Sequence, residues 1–395
     1  MANILYGMPV ADAINRFTWQ QFTQSTRFTM HGIPQLTIIQ MGDGELCEMR
    51  RDVIMRTAKD LGIHTNVIET SVDGARIRTI IENVCDIPDQ WFVVVSDDYY
   101  GNASMWLGDM PSQIIARDLD AICQGSMERF YTEHHPHYGP AVAIAILAFL
   151  RYYEIDFVKR PVVVVGRSSR VGRAIAHLLS RHNATVSLLH NETPLKVAAS
   201  IMWEQPDAII ITATGASSLI AMDSSMNQII INVGMHYQDG EIRGDLSDDV
   251  LALYDHSPVI KGIDDIIPSI ICAKMARDST TTVLEYIMSD DFPTIAHPAN
   301  GIEGFKLLSS IEHTMTTPSM GYTVSEETRW LEITVNHGVK VHIDTTAVYP
   351  MPRTVALPGG ANLEFSYYRG TRCTRIAFRP VENSRDVDLT FTEFG

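Results

Sequence analysis

The segment from Val162 to Gly172 constrains the fold of this 395-residue chain more than any other. Four consecutive valines, Val162 to Val165, are typical of a buried strand, and Gly166 follows them directly. Gly172 then opens a segment whose apolar residues recur at helical spacing. Strand, glycine turn and helix together present backbone amides and a helix N-terminus to a dinucleotide pyrophosphate. Because the spacing differs from G-x-G-x-x-G, an ordinary strand–helix turn is the alternative.

Three further apolar runs predict more strands of a parallel, doubly wound sheet. They cover residues 184–190, 207–215 and 228–234. Ligands of open α/β sheets bind beyond the carboxyl ends of the strands, so the residues there are candidates for cofactor binding. The candidate cofactor-binding residues are Gly166, Arg167, Ser168, Val171, Gly172, Asn191, Glu192, Thr214, Gly215, Val233 and Gly234.

Two charged candidates point to different dinucleotides. Glu192 lies twenty residues after Gly172, where a carboxylate can bind the adenosine ribose 2′-hydroxyl and would repel a 2′-phosphate. This position favours NAD over NADP. Arg167 in the glycine turn could instead pair with the 2′-phosphate of NADP. A solvated loop glutamate is the alternative for Glu192.

Composition excludes several classes of function. The net charge of −16 argues against binding to nucleic acid or an anionic membrane. No apolar run reaches transmembrane length, and the N-terminus lacks signal-peptide features. The five cysteines show neither metal nor disulfide spacing, so we expect a reduced, cytoplasmic protein. We interpret the histidine cluster at residues 134–137 as a solvated loop that binds no metal.

The domain organisation follows from changes in pattern along the chain. Residues 1–145 alternate between helical and strand patterns and predict an N-terminal α/β lobe for substrate, followed by a Rossmann lobe over residues 146–292. Residues 293–395 predict a small β-rich domain. Within it we expect a short helix near residues 305–311 and a hairpin over residues 331–343 around Asn-His-Gly.

Several segments resemble the methylenetetrahydrofolate dehydrogenase/cyclohydrolase family, in that family's order. They include the opening at residues 4–14, the strand and turn at 36–43 and the Arg-Asp-Leu-Asp element at 117–120. The turn at residues 163–172 is similar to the family's Val-Val-Gly-Arg-Ser-x-x-Val-Gly, and Asn183-Ala-Thr-Val186 matches outright. The resemblance spans residues 1 to about 290, and the β-rich segment lies outside it.

The resemblance implies a two-lobed subunit, usually a homodimer, with folate in the N-terminal lobe and NAD or NADP in the Rossmann lobe. The implied reaction is hydride transfer from methylenetetrahydrofolate to nicotinamide. Many members then hydrolyse the methenyl product. Asp120 matches a family active-site residue, for which the resemblance implies a carboxylate that grips the pterin. A helix cap or a salt bridge is the alternative role for Asp120.

The chain departs from the family at the folate site. Ile54 stands at the family's lysine position, Arg50 at its tyrosine position and Ser96 at its glutamine position. Isoleucine can neither donate nor accept a proton, so we expect cyclohydrolase activity to be lost. Hydride transfer is chiefly the cofactor's chemistry and can survive this loss. Residues 263–268 replace a glycine-rich loop, and Asp264 and Ile267, at two of its glycine positions, could adopt glycine conformations only at a cost.

Extra carboxylates near the expected cleft favour a substrate that bears a cation, whereas solvated turns are the alternative. These residues are Asp97, Asp98, Asp264 and Asp265. Aromatic residues that could stack on a pterin, or simply pack in the core, are Trp91, Tyr99, Tyr100 and Trp106. The leading hypothesis is an NAD(P)-dependent dehydrogenase acting on a small folate-like molecule. The alternatives are a non-catalytic or retasked member that acts through its β-rich domain, and a scaffold that binds neither ligand.

Overall fold

The structure is a computed structural model, and the chain divides into two compact units, Met1–Ala299 and Asn300–Gly395. The described residues of the first unit are 4–24, 33–70, 74–96, 107–108, 110–132, 136–215, 228–238, 241–245, 259–276 and 281–294. Those of the second unit are 307–315, 320–322, 330–335, 340–344, 353–357, 361–366, 375–380 and 387–394. Among the described residues, no helix is long and apolar enough to cross a membrane.

A six-stranded parallel sheet forms the larger lobe of the first unit. Its order is β6-β5-β7-β8-β11-β1. The strands are β1 (Ile4–Tyr6), β5 (Pro161–Val165), β6 (Thr185–Leu189), β7 (Ile209–Thr212), β8 (Ile229–Asn232) and β11 (Val259–Lys261). The central valine and isoleucine runs are buried, as expected for parallel strands covered on both faces. This confirms the predicted doubly wound sheet. The strand β1 joins it from the start of the chain, which the sequence pattern did not predict.

A three-stranded parallel sheet, ordered β3-β2-β4, forms the second lobe. Its strands are β2 (Gln35–Met41), β3 (Thr65–Thr70) and β4 (Gln90–Ser96). The helices α2 (Glu45–Asp60) and α3 (Gly74–Cys85) connect them, so strands and helices alternate as predicted. The parallel pairing places the carboxyl ends of β2 and β4 at the same edge, next to the start of α2.

Two apolar helices are largely buried in the first unit. α6 (Ala141–Tyr152) is buried on nearly all sides, and α9 (Ile263–Lys274) packs against α6, α2 and α1. The other helices are α1 (Met8–Gln24), α4 (Ser112–Ile115), α5 (Gln124–Thr132), α7 (Gly172–Arg181), α8 (Leu195–Trp203) and α10 (Val283–Met288). A short 3-10 turn covers Pro136–Tyr138, and β9 (Met235–Gln238) pairs with β10 (Glu241–Gly244) as a hairpin.

The segment aligned with the family's glycine loop is helical in this chain. Residues 263–268 form the first turns of α9, and Gly262 precedes them in a left-handed conformation with φ 87°. Asp264 and Ile267 therefore need no glycine conformation, and the conformational cost anticipated from the sequence does not arise. The left-handed turn falls one residue earlier, on a glycine that the chain does retain.

The second unit consists of antiparallel strands. One sheet has the order β12-β19-β14-β15 and the other β13-β18-β17-β16. Their strands are β12 (Leu307–Met315), β13 (Met320–Tyr322), β14 (Trp330–Val335), β15 (Lys340–Asp344), β16 (Arg353–Leu357), β17 (Ala361–Ser366), β18 (Arg375–Pro380) and β19 (Val387–Phe394). The pairing of β14 with β15 confirms the predicted hairpin. The helix predicted near residues 305–311 is wrong: residues 307–315 form β12, because pairing along β19 overrides the local helical preference.

Candidate functional site

A pocket of about 600 Å³, open mouth included, lies in the first unit. Both lobes line it, since α2 and β4 contribute one wall while the glycine turn and the end of β8 contribute Val171 and Val233. Its lining is largely aliphatic. The lining residues are Met49, Arg50, Val53, Ile54, Val93, Val94, Val95, Asp120, Val142, Val171, Val233, Asp264, Ile267, Pro268 and Ile271. A concave apolar pocket with a few charged groups is the usual form of a small-molecule site.

The glycine turn after β5 is packed so closely that side chains would not fit. Gly166 has φ 124°, and a Cβ atom there would lie 2.2 Å from the Ala213 carbonyl oxygen. A Cβ atom on Gly172, the first residue of α7, would lie 1.9 Å from the Gly166 carbonyl oxygen. Both contacts are far inside van der Waals distance. The two glycines thus allow the backbone to fold tightly at the N-terminus of α7.

Polar groups at this turn remain available to a ligand. The Ser168 hydroxyl oxygen is buried and has no hydrogen-bond partner among the described residues. Within the same described part of the chain, no hydrogen bond is donated by the amides of Gly172 and Ala174. The Arg173 amide, in contrast, donates to the Ser168 carbonyl at 3.0 Å. An unpaired hydroxyl beside unpaired amides at a helix N-terminus fits a dinucleotide phosphate.

Asp245 shapes the neighbouring loop after β7, a role that sequence reasoning did not assign. Its carboxylate accepts hydrogen bonds from the amides of Thr214 at 2.7 Å and Gly215 at 2.9 Å. The side chain is buried, and it packs so closely on Gly234 that a Cβ atom there would lie 2.1 Å from it. Asp245 therefore holds together two loops that carry the candidates Thr214, Gly215 and Gly234. The Gly-Asp pair at 244–245 was the available signal.

We expect Asp245→Ala to lower the free energy of unfolding by about 2–3 kcal/mol, because two backbone amides lose a charged acceptor. Chemical denaturation measures this. Asp156→Ala is the matched control, since the exposed Asp156 carboxylate also accepts from two amides, those of Val158 and Lys159. There water replaces the carboxylate, and the expected loss is below about 1 kcal/mol. Equal losses in the two variants would show that Asp245 has no special structural role.

The residues at the end of β6 are exposed. Asn191 donates to the Glu192 carboxylate at 3.1 Å, and the Glu192 amide donates to His190 Nδ1 at 3.2 Å. Arg167 in the glycine turn is also exposed. Both Arg167 and Glu192 are thus accessible from solvent, as contacts to an adenosine ribose require.

Asp120 forms a buried ion pair, a role that the sequence suggested only as an alternative to pterin binding. Its Oδ2 accepts from Arg170 at 2.8 Å, and its Oδ1 accepts from the Ala141 amide, at the start of α6, at 2.8 Å. The exposed fractions of the two charged side chains are 2% for Asp120 and 4% for Arg170. These contacts correspond to the alternative roles of Asp120, a salt bridge and a hydrogen bond at a helix end. Asp120 also lines the pocket.

Lys274 lies in the same interior region and is fully buried. Its Nζ donates to the carbonyl oxygens of Leu119 and Gly139. Burial lowers the pKa of Lys274 to about 8, and the Asp120 and Asp118 carboxylates partly oppose that shift. Neither Lys274 nor Arg170 was singled out in the sequence, because a single basic residue carries no local signal of burial.

Ile54 and Arg50, at the family's lysine and tyrosine positions, both line the pocket. Ile54 is buried in the pocket wall. Ser96 ends β4, and its carbonyl oxygen accepts a hydrogen bond from Arg50 at 2.9 Å. Arg50 thus reaches from α2 across to β4 and brings a positive charge to the pocket. Lys59 is exposed near the end of α2, away from the buried face that carries Ile54.

Asp264 lies in the first turn of α9, lines the pocket and is half-buried. Burial raises the pKa of Asp264 to about 6; the nearby Arg50 guanidinium opposes this shift, and Asp265 adds to it. Asp265 itself is exposed and does not line the pocket. Of the four aspartates that the sequence suggested, Asp97 and Asp98 lie outside the described residues.

The remaining candidates do not form a site in the described part of the chain. Trp91 is buried against the edge of the His137 ring, with 6.4 Å between ring centroids, so it packs in the core. The described residues contain no cluster of three or more His, Cys, Asp or Glu that could hold a metal ion. Candidates outside the described residues are Tyr99, Tyr100, Trp106, His134 and His135.

Part of the chain matches a known domain family, and longer stretches resemble known proteins. Residues 140–280 match the NAD(P)-binding domain of tetrahydrofolate dehydrogenase/cyclohydrolase. The bifunctional protein FolD of Lactobacillus acidophilus is 29% identical over 226 residues, which cover 54% of this chain and 74% of the relative. The FolD protein of Clostridium botulinum (strain Okra / Type B1) is 26% identical over 250 residues, covering 62% and 86%.

Solved structures show the same fold. The bifunctional dehydrogenase/cyclohydrolase from Thermoplasma acidophilum superposes with a TM-score of 0.58 at 20% identity, covering 70% of this chain and 98% of its own. FolD from Trypanosoma brucei, solved with NADP and an inhibitor, gives 0.59 at 20% identity, covering 69% and 96%. Residues 140–280 therefore carry an NAD(P)-binding domain of the tetrahydrofolate dehydrogenase/cyclohydrolase type, and the chain has a FolD-like fold.

Proposed function

We propose that the chain is a nicotinamide-dependent dehydrogenase that oxidises a methylenetetrahydrofolate-like one-carbon substrate and has no cyclohydrolase activity. The observation that carries this proposal is the shared pocket wall. Val171, beside the glycine turn, and Val233, at the end of β8, line the same pocket as Ile54 of the N-terminal lobe. A dinucleotide held at the turn would therefore bring its nicotinamide beside a substrate in the pocket.

The residues present support hydride transfer. When bound, the nicotinamide supplies the hydride acceptor, and the protein supplies orientation. The unpaired Ser168 hydroxyl and the amide of Gly172 would hold the pyrophosphate, while the aliphatic walls exclude water from the transfer. No proton transfer is required of Ile54 in such a step. The pocket thus has what the first reaction of the family needs.

The same residues argue against hydrolysis of a methenyl group. Hydrolysis requires activation of water and proton transfers, and Ile54 supplies neither. Lys274 is no substitute, because it is fully buried and its Nζ is hydrogen-bonded to two carbonyl oxygens. Lys59 is exposed near the other end of α2. We therefore expect oxidation to stop at the methenyl product.

The experiment measures the dehydrogenase and the cyclohydrolase reactions separately in the purified protein. NAD and NADP are titrated first, and hydride transfer from methylenetetrahydrofolate and hydrolysis of methenyltetrahydrofolate are then assayed separately. We expect dinucleotide binding and reduction, with hydrolysis at the uncatalysed rate. We also expect NAD to bind more tightly than NADP, because Glu192 would repel a 2′-phosphate. Catalysed hydrolysis would contradict the proposal, and tighter binding of NADP would contradict the role of Glu192.

A second candidate function is a non-catalytic or retasked member that binds nucleotide or folate and acts through its β-rich unit. The ion pair between Asp120 and Arg170 favours it, because the carboxylate expected to grip a pterin already has a partner. Dinucleotide binding without turnover of methylenetetrahydrofolate would support this candidate. In either case we expect a homodimer, which sedimentation analysis of the purified protein would test.

A further inference from the structure

The charged side chains of the pocket differ in how far their charge is compensated by other residues. Three charged residues line it: Arg50, Asp120 and Asp264. The Asp120 carboxylate accepts from Arg170 and from the Ala141 amide, and it is almost completely buried. A ligand could still donate to a remaining lone pair of Asp120, but Arg170 already compensates the negative charge of this carboxylate. Asp120 therefore attracts a cationic ligand less strongly than a carboxylate without an ion-pair partner would.

Asp264 is in the opposite situation. It is half-buried, it lines the pocket, and its carboxylate accepts no hydrogen bond from another residue among those that the structure describes. It stands on α9, a twelve-residue helix that packs against α1, α2 and α6. The helix fixes the position of the carboxylate, and the carboxylate retains its hydrogen-bonding capacity.

The surroundings of Asp264 make an unliganded carboxylate unfavourable. Ile54, Ile267 and Ile271 line the same pocket. Burial raises the pKa of Asp264 to about 6, although Arg50 partly stabilises the ionised form. A ligand that brings a positive charge or N–H donors to the pocket would compensate this cost. An aliphatic or aromatic ring would in turn suit the surrounding walls.

We propose that Asp264 determines substrate specificity in this pocket, and that the substrate presents a cationic nitrogen or a pair of N–H donors next to an apolar ring. The inference rests on the proposed function only for the view that the pocket is the substrate site. Two sources share this chemistry. One is the 2-amino-4-oxo edge of a tetrahydropterin, and the other is the ammonium or iminium nitrogen of a different cyclic substrate.

The test compares Asp264→Asn with Asp265→Asn in the full-length protein. Asp265 is the matched control, because it lies in the same helical turn and loses the same charge but is exposed outside the pocket. The probes are tetrahydrofolate, its 2-desamino-2-methyl analogue, benzylamine and benzyl alcohol, each titrated by calorimetry or ligand-observed NMR. Dinucleotide affinity is measured in every variant as a separate readout.

We expect Asp264→Asn to weaken tetrahydrofolate binding about 10- to 100-fold, since a charged acceptor is lost, and Asp265→Asn to change it less than about twofold. Removing the ligand's amino group should weaken binding to the wild-type protein and have little further effect in Asp264→Asn. Dinucleotide affinity should be the same in both variants. That combination supports the pterin source.

Other outcomes separate this inference from the proposed function. If tetrahydrofolate does not bind, but benzylamine binds more tightly than benzyl alcohol and only with Asp264 present, the folate function is wrong and the inference stands. If no probe depends on Asp264, or if Asp120→Asn removes binding while Asp264→Asn does not, the inference is overturned.

Thermal unfolding without ligand gives a readout that a purely structural role would not produce. The folded-state pKa of Asp264 is raised, so its stabilising contribution is present at low pH and is lost as pH rises through about 6. Asp264→Asn should therefore raise Tm by a few degrees at about pH 8, and by less at about pH 4, while weakening ligand binding. Arg50 and Asp265 are the charged groups that act on Asp264, and Asp120 lines the same pocket. A lower Tm at about pH 8 would indicate a structural role and count against the inference.

Discussion

Replacing Arg170 with methionine is expected to lower the free energy of unfolding by about 3–5 kcal/mol, because Asp120 would be left as a buried charge without its partner. Arg170 Nη2 donates to both the side-chain and main-chain oxygens of Asp120 at 2.8 Å. Methionine can fill much of the same space, so the lost charge dominates the effect. Lys274 attracts Asp120 electrostatically but does not replace the hydrogen bonds. Chemical denaturation measures the change.

A surface pair provides the control for this prediction. Arg78 and Glu82 lie one helical turn apart on α3 at 3.0 Å, with exposed fractions of 40% and 42%. Arg78→Met should cost less than about 1 kcal/mol, because water screens the pair. The double variant Arg170→Met/Asp120→Asn should recover part of the stability lost in Arg170→Met. A loss no larger than that of Arg78→Met would show that the buried pair contributes nothing specific.

The same pair explains why the site could be predicted only in part. The valine and isoleucine runs and the glycine turn carry local signals, so the parallel sheet and the start of α7 follow from the sequence. The partnership of Arg170 with Asp120 joins residues fifty positions apart. Neither residue type reveals which long-range partner it meets. The salt bridge could be named as an alternative for Asp120, but its partner could not.

The other differences have related physical causes. The strand β1 is only three residues long, and its place beside β11 depends on a pairing of residues more than 250 positions apart. Residues 307–315 have apolar side chains compatible with either a helix or a strand, and pairing with β19 decides between them. Asp264 was expected near the cleft, but its place in the pocket wall depends on the course of α9. Local pattern thus predicts the scaffold better than the distribution of charge within it.

Replacing Gly172 with alanine is expected to weaken dinucleotide binding at least about 100-fold, which corresponds to about 2.7 kcal/mol. By helix propensity alone alanine would stabilise α7 by about 1 kcal/mol. The new Cβ atom, however, would lie 1.9 Å from the Gly166 carbonyl oxygen and 2.6 Å from its carbonyl carbon. Since these are backbone atoms, the turn itself must open. The amides at the start of α7 would then no longer converge on a phosphate.

Gly108→Ala is the matched control, because a Cβ atom at Gly108 would have no atom of the described residues within 4 Å. Both variants are titrated with NAD and NADP, and circular dichroism with thermal unfolding establishes that each is folded. We expect Gly108→Ala to bind like the wild type and Gly172→Ala to lose binding while keeping its helical signal. Because the Cβ of residue 172 would strike backbone rather than a movable side chain, retention of full dinucleotide affinity would place the cofactor elsewhere and remove the basis of the proposed dehydrogenase.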